Sequence, residues 1–298
     1  MYVNPYQSLP EGSWRKANFH THAGTEPGTC GKHPIGTVTD IYREGGYSFL
    51  CLSNHDRFID GDSCSDEKML AVPGVEYSRD CSHMLTVGVR HSFHELDHQA
   101  AIDETVKAGG FAILCHPNWP MQGNWPWEDI DRLRRYAGIE VINMLIYRLD
   151  GSGLASGVWD RLLTEGKLVY GFGNDDFHTW IDAARSFNLI HCAEITYASM
   201  KDAIDRGAFC ASTGLYPDVL VLEGETLLAR VKYPNPIHPT AFTYRFIGEG
   251  GRVLSEQRGE QAQYRLSGEP YVRVEAIGEN GAMLFFQPVY RQGVLTKI

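Results

Sequence analysis

The sequence has no apolar run long enough to cross a membrane and no excess of positive charge. No stretch approaches the roughly 18 apolar residues of a spanning helix, and the first residues lack a basic start followed by an apolar segment. The 298 residues include 27 basic and 37 acidic side chains, for a formal charge of -10. Because a nucleic-acid backbone is neutralised by a basic face, we expect a cytoplasmic protein that binds neither membranes nor nucleic acid.

Paired cysteines and two common catalytic motifs are also missing. The seven cysteines are odd in number and scattered, with no CxxC pair, which predicts reduced and mostly buried thiols rather than a disulfide framework. There is no GxSxG elbow, so a serine nucleophile of that kind is not indicated. The GEGG and GENG segments do not open a helix after a strand, which excludes them as phosphate-binding loops.

Short apolar runs alternate with amphipathic helical patterns from Ala17 to about Thr213. This alternation predicts an α/β fold with a largely parallel sheet, closed or nearly closed into a barrel. After Tyr216 the runs are strand-like and are separated by Gly, Pro and Asn turns, which predicts an antiparallel unit of about six strands. We therefore expect two domains, at residues 1–214 and 215–298, with the second packed on the first.

Histidine and carboxylate residues occur where the apolar runs end, in NFHTH, LSNHD, GVEYS followed by SHM, ILCHP and GFGNDDFH. In α/β barrels the functional residues come from the C-terminal ends of strands. Imidazole together with carboxylate suits zinc, manganese or iron better than calcium or magnesium. The set exceeds the ligands of one zinc ion, so we expect two or three divalent ions and a bridging carboxylate. The candidate ligands are His20, His22, His55, Glu76, His83, His116, Asp176 and His178.

In this order, the motifs resemble the PHP family, named for polymerase and histidinol phosphatase. The HxH motif of that family matches His20 and His22, the closing DxH matches Asp176 and His178, and the HP element matches His116. The resemblance implies a distorted (β/α)7 barrel with a multinuclear metal cluster. The segments VWDRLLTEGKLVYGFGNDDFH and GAFCASTG, followed by a β tail, are similar to the CehA/McbA-type branch, which includes carbamate and amide hydrolases.

Carried over residue by residue, the resemblance implies three metal sites. The first uses His20, His22, Glu76 and Asp176; the second shares Glu76 and adds His83 and His116; the third uses His55 and His178. Where the family has an Asp after its HxH motif, this chain has Pro27. Either Glu26 or His33 then completes the third site, or the third ion is held weakly. In SNHD, Asn54 replaces the usual Asp and removes a carboxylate that would support a ligand.

A cluster of divalent cations favours an anionic small molecule, so a small organic phosphate is the leading expected substrate. The expected nucleophile is a water or hydroxide bridging two metals. Asp176 would accept its proton, and Glu76 would be essential as the shared carboxylate. Candidates for holding phosphate oxygens are Arg57, Asn118, Arg148, Arg185 and, in the first ligand loop, Lys32.

Two other functions stay open. A carbamate or amide hydrolase would use the same metals and an apolar wall, for which Trp119, Trp125 and Trp127 are candidates. A non-catalytic metal-binding regulatory protein is the third possibility. His91, His94, His98 and His191 are expected to be ordinary loop or half-buried histidines, and the sequence predicts no particular oligomeric state.

Overall fold

A computed structural model describes residues 1–78, 82–93, 97–120, 125–235 and 240–298. Its fold is mixed α/β. The helices are α1 Ile35–Glu44, α2 His98–Lys107, α3 Trp127–Arg132, α4 Ser156–Thr164 and α5 Tyr197–Arg206. The strands of the first part are β1 Tyr2–Val3, β2 Ser13–Asn18, β3 Tyr47–Cys51, β4 Leu70–Val72, β5 Gly74–Tyr77, β6 Met84–Val87, β7 Phe111–Leu114, β8 Gly138–Asn143, β9 Lys167–Leu168, β10 Tyr170–Asn174, β11 Phe187–Cys192 and β12 Phe209–Ser212. Those that follow are β13 Tyr216–Glu223, β14 Thr226–Lys232, β15 Phe242–Ile247, β16 Val253–Gly259, β17 Gln261–Arg265, β18 Tyr271–Ile277, β19 Met283–Phe286, β20 Val289–Arg291 and β21 Thr296–Lys297.

Helix α5 illustrates how local sequence sets the helix ends. The Thr196 side chain accepts a hydrogen bond from the Ser199 amide at the N-terminus. Gly207 ends the helix with a φ of 72°, a left-handed conformation that glycine adopts easily. Met200 and Ile204, four residues apart, are both buried, as expected of one face of an amphipathic helix. No helix of the described residues is long and apolar enough to span a membrane.

Two sheets surround the region where the candidate ligands lie. The larger has eleven strands, in the order β1-β20-β18-β19-β12-β11-β2-β3-β4, with β15 and β16 attached through β18. The smaller has the order β10-β8-β7-β6-β5. The pairs β2–β3, β3–β4, β7–β8 and β8–β10 are parallel, whereas β5–β6, β6–β7 and β2–β11 are antiparallel.

The described strands therefore form an unclosed, mixed arrangement, and a clear (β/α)7 barrel is not shown. The expectation of a largely parallel sheet fails because three of the pairs next to the site run antiparallel. Isolated bridges still link the two sheets beyond the ends of β2 and β3, joining Thr21 to Phe177 and His55 to Glu76. Both bridges lie at the candidate metal ligands, so the two sheets approach each other at that end.

The C-terminal strands continue the larger sheet. Strand β19 pairs with β12, with Cys210 opposite Phe286 and Ala211 opposite Phe285. A hydrogen-bonded ladder thus joins a strand before the expected domain boundary, β12, to a strand after it, β19. In the described part of residues 215–298 there are nine strands, more than the expected six, and no α-helix. The division into two domains stays a prediction.

A buried aromatic cluster lies beneath the candidate ligands. The Phe19 ring packs edge-on against Phe111, with centroids 5.5 Å apart, and also contacts Phe172. Phe172 in turn contacts Phe209, at 4.7 Å. Since successive side chains in extended chain point to opposite sides, Phe19 enters this core while its neighbour His20 faces the ligand cluster. The apolar packing therefore fixes the backbone that presents the first histidine pair.

Candidate metal centre

The eight residues that the sequence predicts as ligands lie together at one end of the two sheets. Glu76, on β5, is at the centre. Its Oε1 atom lies 3.2 Å from His20 Nε2, 2.9 Å from His83 Nδ1 and 3.6 Å from His116 Nε2. Its Oε2 atom lies 2.8 Å from His55 Nδ1 and 3.3 Å from His22 Nε2. One carboxylate thus faces five imidazoles that come from four different loops.

Asp176 provides a second carboxylate on the other side of the first histidine pair. Its Oδ1 atom lies 3.2 Å from Nε2 of both His20 and His22, and 3.4 Å from Nδ1 of His178. Its Oδ2 atom accepts a hydrogen bond from Asn143 Nδ2 at 3.2 Å. His20 and His22 therefore lie between the carboxylates of Glu76 and Asp176.

Many of these converging atoms are buried yet make no hydrogen bond of acceptable geometry. With respect to the described residues, they are His20 Nε2, His22 Nε2, His55 Nδ1, His83 Nδ1, both carboxylate oxygens of Glu76 and Asp176 Oδ1. Buried polar atoms in proteins are almost always paired. A set of nitrogen and oxygen atoms that point at a common volume without bonding one another is the arrangement of a metal site. The donor set, imidazole with carboxylate, fits divalent zinc, manganese or iron.

The shifted pKa values of the cluster residues also favour a bound cation. Burial acts to lower the pKa of His20, but the nearby Asp176 and Glu76 carboxylates outweigh it and raise this pKa well above its usual value. Burial acts to raise the pKa of Glu76, but His55, His20 and His83 hold it well below its usual value. The carboxylates are therefore ionised, and a cation, whether proton or metal, is required among them.

Glu140, on β8, supports the centre and was missed by the sequence analysis. It is completely buried. Its Oε1 atom lies 2.8 Å from His20 Nδ1 and accepts from Asn174 Nδ2 at 2.9 Å. Its Oε2 atom accepts from the His116 amide and from Asn143 Nδ2, both at 2.8 Å. A carboxylate on Nδ1 orients the ring and leaves Nε2 for the cluster. The available signal was a lone glutamate inside the apolar run IEVINML.

Two residues of the centre have left-handed backbone. His116 has a φ of 31° and Asp176 a φ of 53°. For residues other than glycine this conformation costs about 1–3 kcal/mol and occurs mostly where function demands it. The His116 amide is held by Glu140, and its carbonyl accepts from the Trp119 amide at 3.0 Å. The surrounding hydrogen bonds thus stabilise a strained backbone that turns the His116 side chain towards Glu76.

The structure does not bring Glu26 or His33 into the cluster. The Glu26 side chain is 73% exposed and forms an ion pair with Arg57 at 2.8 Å. The His33 ring packs on Trp180, with centroids 3.7 Å apart. Cys30, from the same loop, does join: its Sγ atom lies 2.9 Å from His22 Nδ1. Burial alone would raise the pKa of this thiol, but hydrogen bonds with His178 and His22 bring it down to about 5.

Most of the candidates for substrate binding already have partners in the protein. Arg57 pairs with Glu26. Arg148 forms a two-pronged pair with the buried Asp182, at 2.6 and 3.0 Å. Asn118 Nδ2 donates to the Leu154 carbonyl at 2.7 Å. The exposed Arg185 has no hydrogen bond or ion pair from its guanidinium to any described residue, and it lines a surface cavity of about 380 Å³ with Met144 and Tyr147.

Of the three tryptophans, Trp119 is the one beside the centre. Its ring lies edge-on to His116 at 5.0 Å and to His83 at 6.1 Å, and its buried Nε1 atom has no hydrogen-bond partner among the described residues. Trp125 instead donates to the His83 carbonyl at 2.9 Å. The Trp127 ring lies 3.5 Å from the Arg161 guanidinium carbon, so it packs away from the cluster.

The remaining histidines have other contacts. His98 Nε2 lies 2.7 Å from the Ser82 carbonyl, His91 packs on Phe93, and His191 packs on Trp14. His94 and His238 lie outside the described residues, as does Cys81. The six described cysteines are free thiols, and Cys51, Cys115, Cys192 and Cys210 among them are buried.

No protein-family model matches this chain, and no curated protein matches it in sequence. Among solved structures, it is similar to a two-domain protein from Bacteroides vulgatus that contains a predicted PHP-like metal-dependent phosphoesterase. The two share 16% sequence identity, with a TM-score of 0.54, and the match covers 94% of this chain and 95% of that one. The likeness therefore shows a shared mixed α/β fold over nearly the whole length of both chains.

Proposed function

We propose that this protein is a PHP-type metal-dependent hydrolase that holds two or three divalent ions at the cluster around Glu76. The observation that carries the proposal is the convergence of buried, unpartnered nitrogen and oxygen atoms on one volume. The fold shared with the Bacteroides vulgatus protein supports it. His20, His22 and Asp176 would hold one ion, since their ligand atoms lie within 4.8 Å of one another. Glu76 with His83 and His116 would hold another, since Glu76 Oε1 lies 2.9 Å from His83 Nδ1 and 3.6 Å from His116 Nε2.

When bound, such ions lower the pKa of a coordinated water from about 15.7 towards 7 and polarise the oxygen of the substrate. The residues of this chain orient and exchange protons around them. Asn143 fixes Asp176 through Oδ2, which leaves Oδ1 to accept a proton in the centre. Glu140 holds His20 by its Nδ1 atom, so the ring presents Nε2 and cannot rotate out of place.

A phosphate ester of a small organic molecule is our leading substrate class. Two or three divalent ions would carry four to six positive charges against three carboxylates, those of Glu76, Asp176 and the supporting Glu140. The centre would keep a net positive charge, which favours an anion over a neutral molecule. We assign phosphate binding to Arg185, because its guanidinium is exposed and makes no hydrogen bond or ion pair with another described residue, and its backbone amide donates at 2.8 Å to Asp175, the residue before Asp176. A phosphoryl oxygen left free by the metals could accept from it.

A carbamate or amide hydrolase of the CehA/McbA type is the second candidate, and a specific observation favours it. Arg57, Arg148 and Asn118 are already bonded within the protein. The loops that follow β8 and β10 instead expose large apolar side chains, with Tyr147 46%, Trp180 51% and Ile181 62% exposed. A neutral substrate with an aryl or alkyl group would bury this surface. A metal-binding protein without catalysis is the third possibility.

One experiment distinguishes the three candidate functions. The purified protein would be analysed for metals and then assayed in added manganese or zinc against a phosphate monoester, a phosphate diester and an aryl carbamate. Two to three metals per chain with phosphate release would support the leading class, and carbamate cleavage alone would support the second. Protein that binds metal but cleaves nothing would favour the regulatory role, and protein that binds no metal would refute the proposal.

A further inference from the structure

The loop between His22 and His33 places a thiol against three imidazoles at the outer side of the centre. Cys30 Sγ lies 2.9 Å from His22 Nδ1. Potential ligand atoms of Cys30, His22, His55 and His178 all lie within 4.8 Å of one another. The rings of His55 and His178 are centred 4.7 and 4.2 Å from that of His22. The sequence predicts Glu26 or His33 as the ligand from this loop, but neither side chain lies in this group.

Backbone contacts on both sides of Cys30 fix its position. The Gly24 amide donates to the His33 carbonyl at 2.8 Å, which closes the loop. Thr29 Oγ1 donates to the Gly24 carbonyl at 3.1 Å. Gly31 packs so closely on Ala23 that a Cβ atom there would lie 2.5 Å from the Ala23 carbonyl carbon. The backbone on both sides of Cys30 is therefore fixed where the thiol can reach His22.

The two nitrogens of His22 have different neighbours. Nε2 faces Asp176 Oδ1 at 3.2 Å, within the inner part of the centre, while Nδ1 faces Cys30. An imidazole that binds a metal through Nε2 carries its proton on Nδ1, so Nδ1 would donate to a Cys30 thiolate. In His178, Nδ1 lies 3.0 Å from the Asp176 carbonyl oxygen, which leaves Nε2 for a ligand.

We propose that Cys30, His55 and His178 form an outer metal site in which Cys30 is a thiolate ligand that also accepts a hydrogen bond from His22. Three protein ligands leave a position for water or substrate, as in catalytic zinc sites. The outer position is partly open, since the His55 and His178 side chains are 33% and 19% exposed. A soft thiolate with imidazoles selects zinc over manganese or magnesium. Among the described residues, the thiol beside the inner groups is that of Cys115, which is completely buried, so the two regions would differ in metal preference.

This outer site rests on the metal centre of the proposed function, but the question is which residues bind the metal. Its test therefore does not require hydrolysis of a substrate. Metal-free protein would be titrated with cobalt(II), and thiolate-to-cobalt charge-transfer absorption would be recorded together with the number of bound ions. We expect this absorption in the wild type, and we expect it to be displaced by zinc but not by manganese. Cys30→Ser should lose the absorption and one bound ion per chain. Cys64→Ser, which changes a half-buried free cysteine in the turn Asp62–Cys64, should retain both.

Wild-type protein that binds cobalt fully without thiolate-to-cobalt absorption would overturn the inference, and so would an unchanged spectrum in Cys30→Ser. If that variant does not fold, the wild type alone decides. Alkylation of Cys30, read by peptide mass spectrometry, should then be blocked by zinc, and alkylation that zinc does not slow would overturn the inference. Thiolate ligation in a protein that hydrolyses no substrate would refute only the proposed function, and hydrolysis without thiolate ligation would refute only this inference.

Discussion

Nδ1 of His20 lies 2.8 Å from Oε1 of Glu140, and both side chains are completely buried. The same carboxylate also holds the His116 amide. Glu140 thus positions two of the candidate ligands at once, from two different loops, without lying among the atoms that face Glu76.

The first prediction tests whether Glu140 positions His20 and His116 for metal binding. Glu140→Gln keeps the shape of the side chain but replaces an acceptor oxygen with an NH2 group that faces existing donors. We expect metal affinity to fall by about 10- to 100-fold while the protein stays folded, as for other carboxylates that orient a ligand histidine. Competition with a chelator measures the affinity. Glu128→Gln, at an exposed position on α3, is the control and should bind metal like the wild type.

The second prediction concerns the proton acceptor. Asp176→Asn removes the charge, and asparagine tolerates the left-handed φ of 53° at this position, so loss of function would not reflect added backbone strain. We expect hydrolysis to fall by about 10²–10⁴-fold. Circular dichroism would verify the fold, and Asp205→Asn, in an exposed pair with Lys201, would keep full activity. Activity within a few-fold of the wild type would contradict the role of Asp176.

The third prediction is that metal binding strengthens as pH rises. Burial acts to lower the pKa of His20 and His22, but their carboxylate neighbours raise both above the usual 6.5. Metal must therefore displace protons, and the apparent affinity should rise about tenfold per pH unit for each proton released. Titration calorimetry in buffers of different ionisation enthalpy counts those protons. Binding that does not vary between pH 6 and 8 would show that the histidines are already neutral.

The same shifts set the stability of the metal-free protein. Because the folded pKa of His20 and His22 is raised, their ion pairs stabilise the fold fully below about pH 6.5, and this contribution is lost as pH rises through the raised pKa. The pKa values of Glu76 and Asp176 are lowered by the histidines despite burial, so their contribution is present above the usual carboxylate pKa and is lost on acidification.

The fourth prediction tests Trp119. Trp119→Phe keeps an aromatic ring beside His116 but removes the buried, unpartnered N–H group. If this group donates to the substrate, kcat/KM should fall by about 2- to 10-fold, the value of one ordinary hydrogen bond. Trp127→Phe, whose ring instead packs on Arg161, should leave kcat/KM unchanged. Equal effects of the two substitutions would indicate packing alone.

The fifth prediction concerns the contact between the two halves of the chain. Arg273, on β18, donates to both oxygens of Asp160 on α4, each at 2.6 Å, and both residues are buried. Arg273→Met would leave Asp160 as an unpaired buried charge and should lower the free energy of unfolding by about 3–5 kcal/mol. Arg258→Met removes an exposed pair with Glu279 and should cost less than about 1 kcal/mol. Urea denaturation measures both, and a small effect of Arg273→Met would show that Asp160 is not left as an unpaired buried charge.

The sequence alone could single out the candidate ligands that the structure brings together, because their pattern is local. His20 and His22 follow one apolar run, His116 another, and Asp176 and His178 a third, and in α/β folds functional residues gather at strand ends. The helices could be expected for the same reason, since their periodicity, caps and terminal glycines lie within a few residues of each other. The substrate cannot be predicted from neighbouring residues in the same way, because it depends on which arginines make no ion pair in the folded protein.

The tertiary structure decided what depends on partners distant in sequence. Glu140 looked like an odd residue in an apolar strand until the fold placed it on His20, 120 positions away. The sequence left Glu26 and His33 as alternative ligands from one loop and did not single out Cys30, which lies between them. In the folded loop Cys30 Sγ lies beside His22 Nδ1, whereas the Arg57 pair holds Glu26 in solvent. Strand direction was likewise undetermined, because antiparallel and parallel neighbours can share the same apolar pattern and differ only in how distant backbone groups pair.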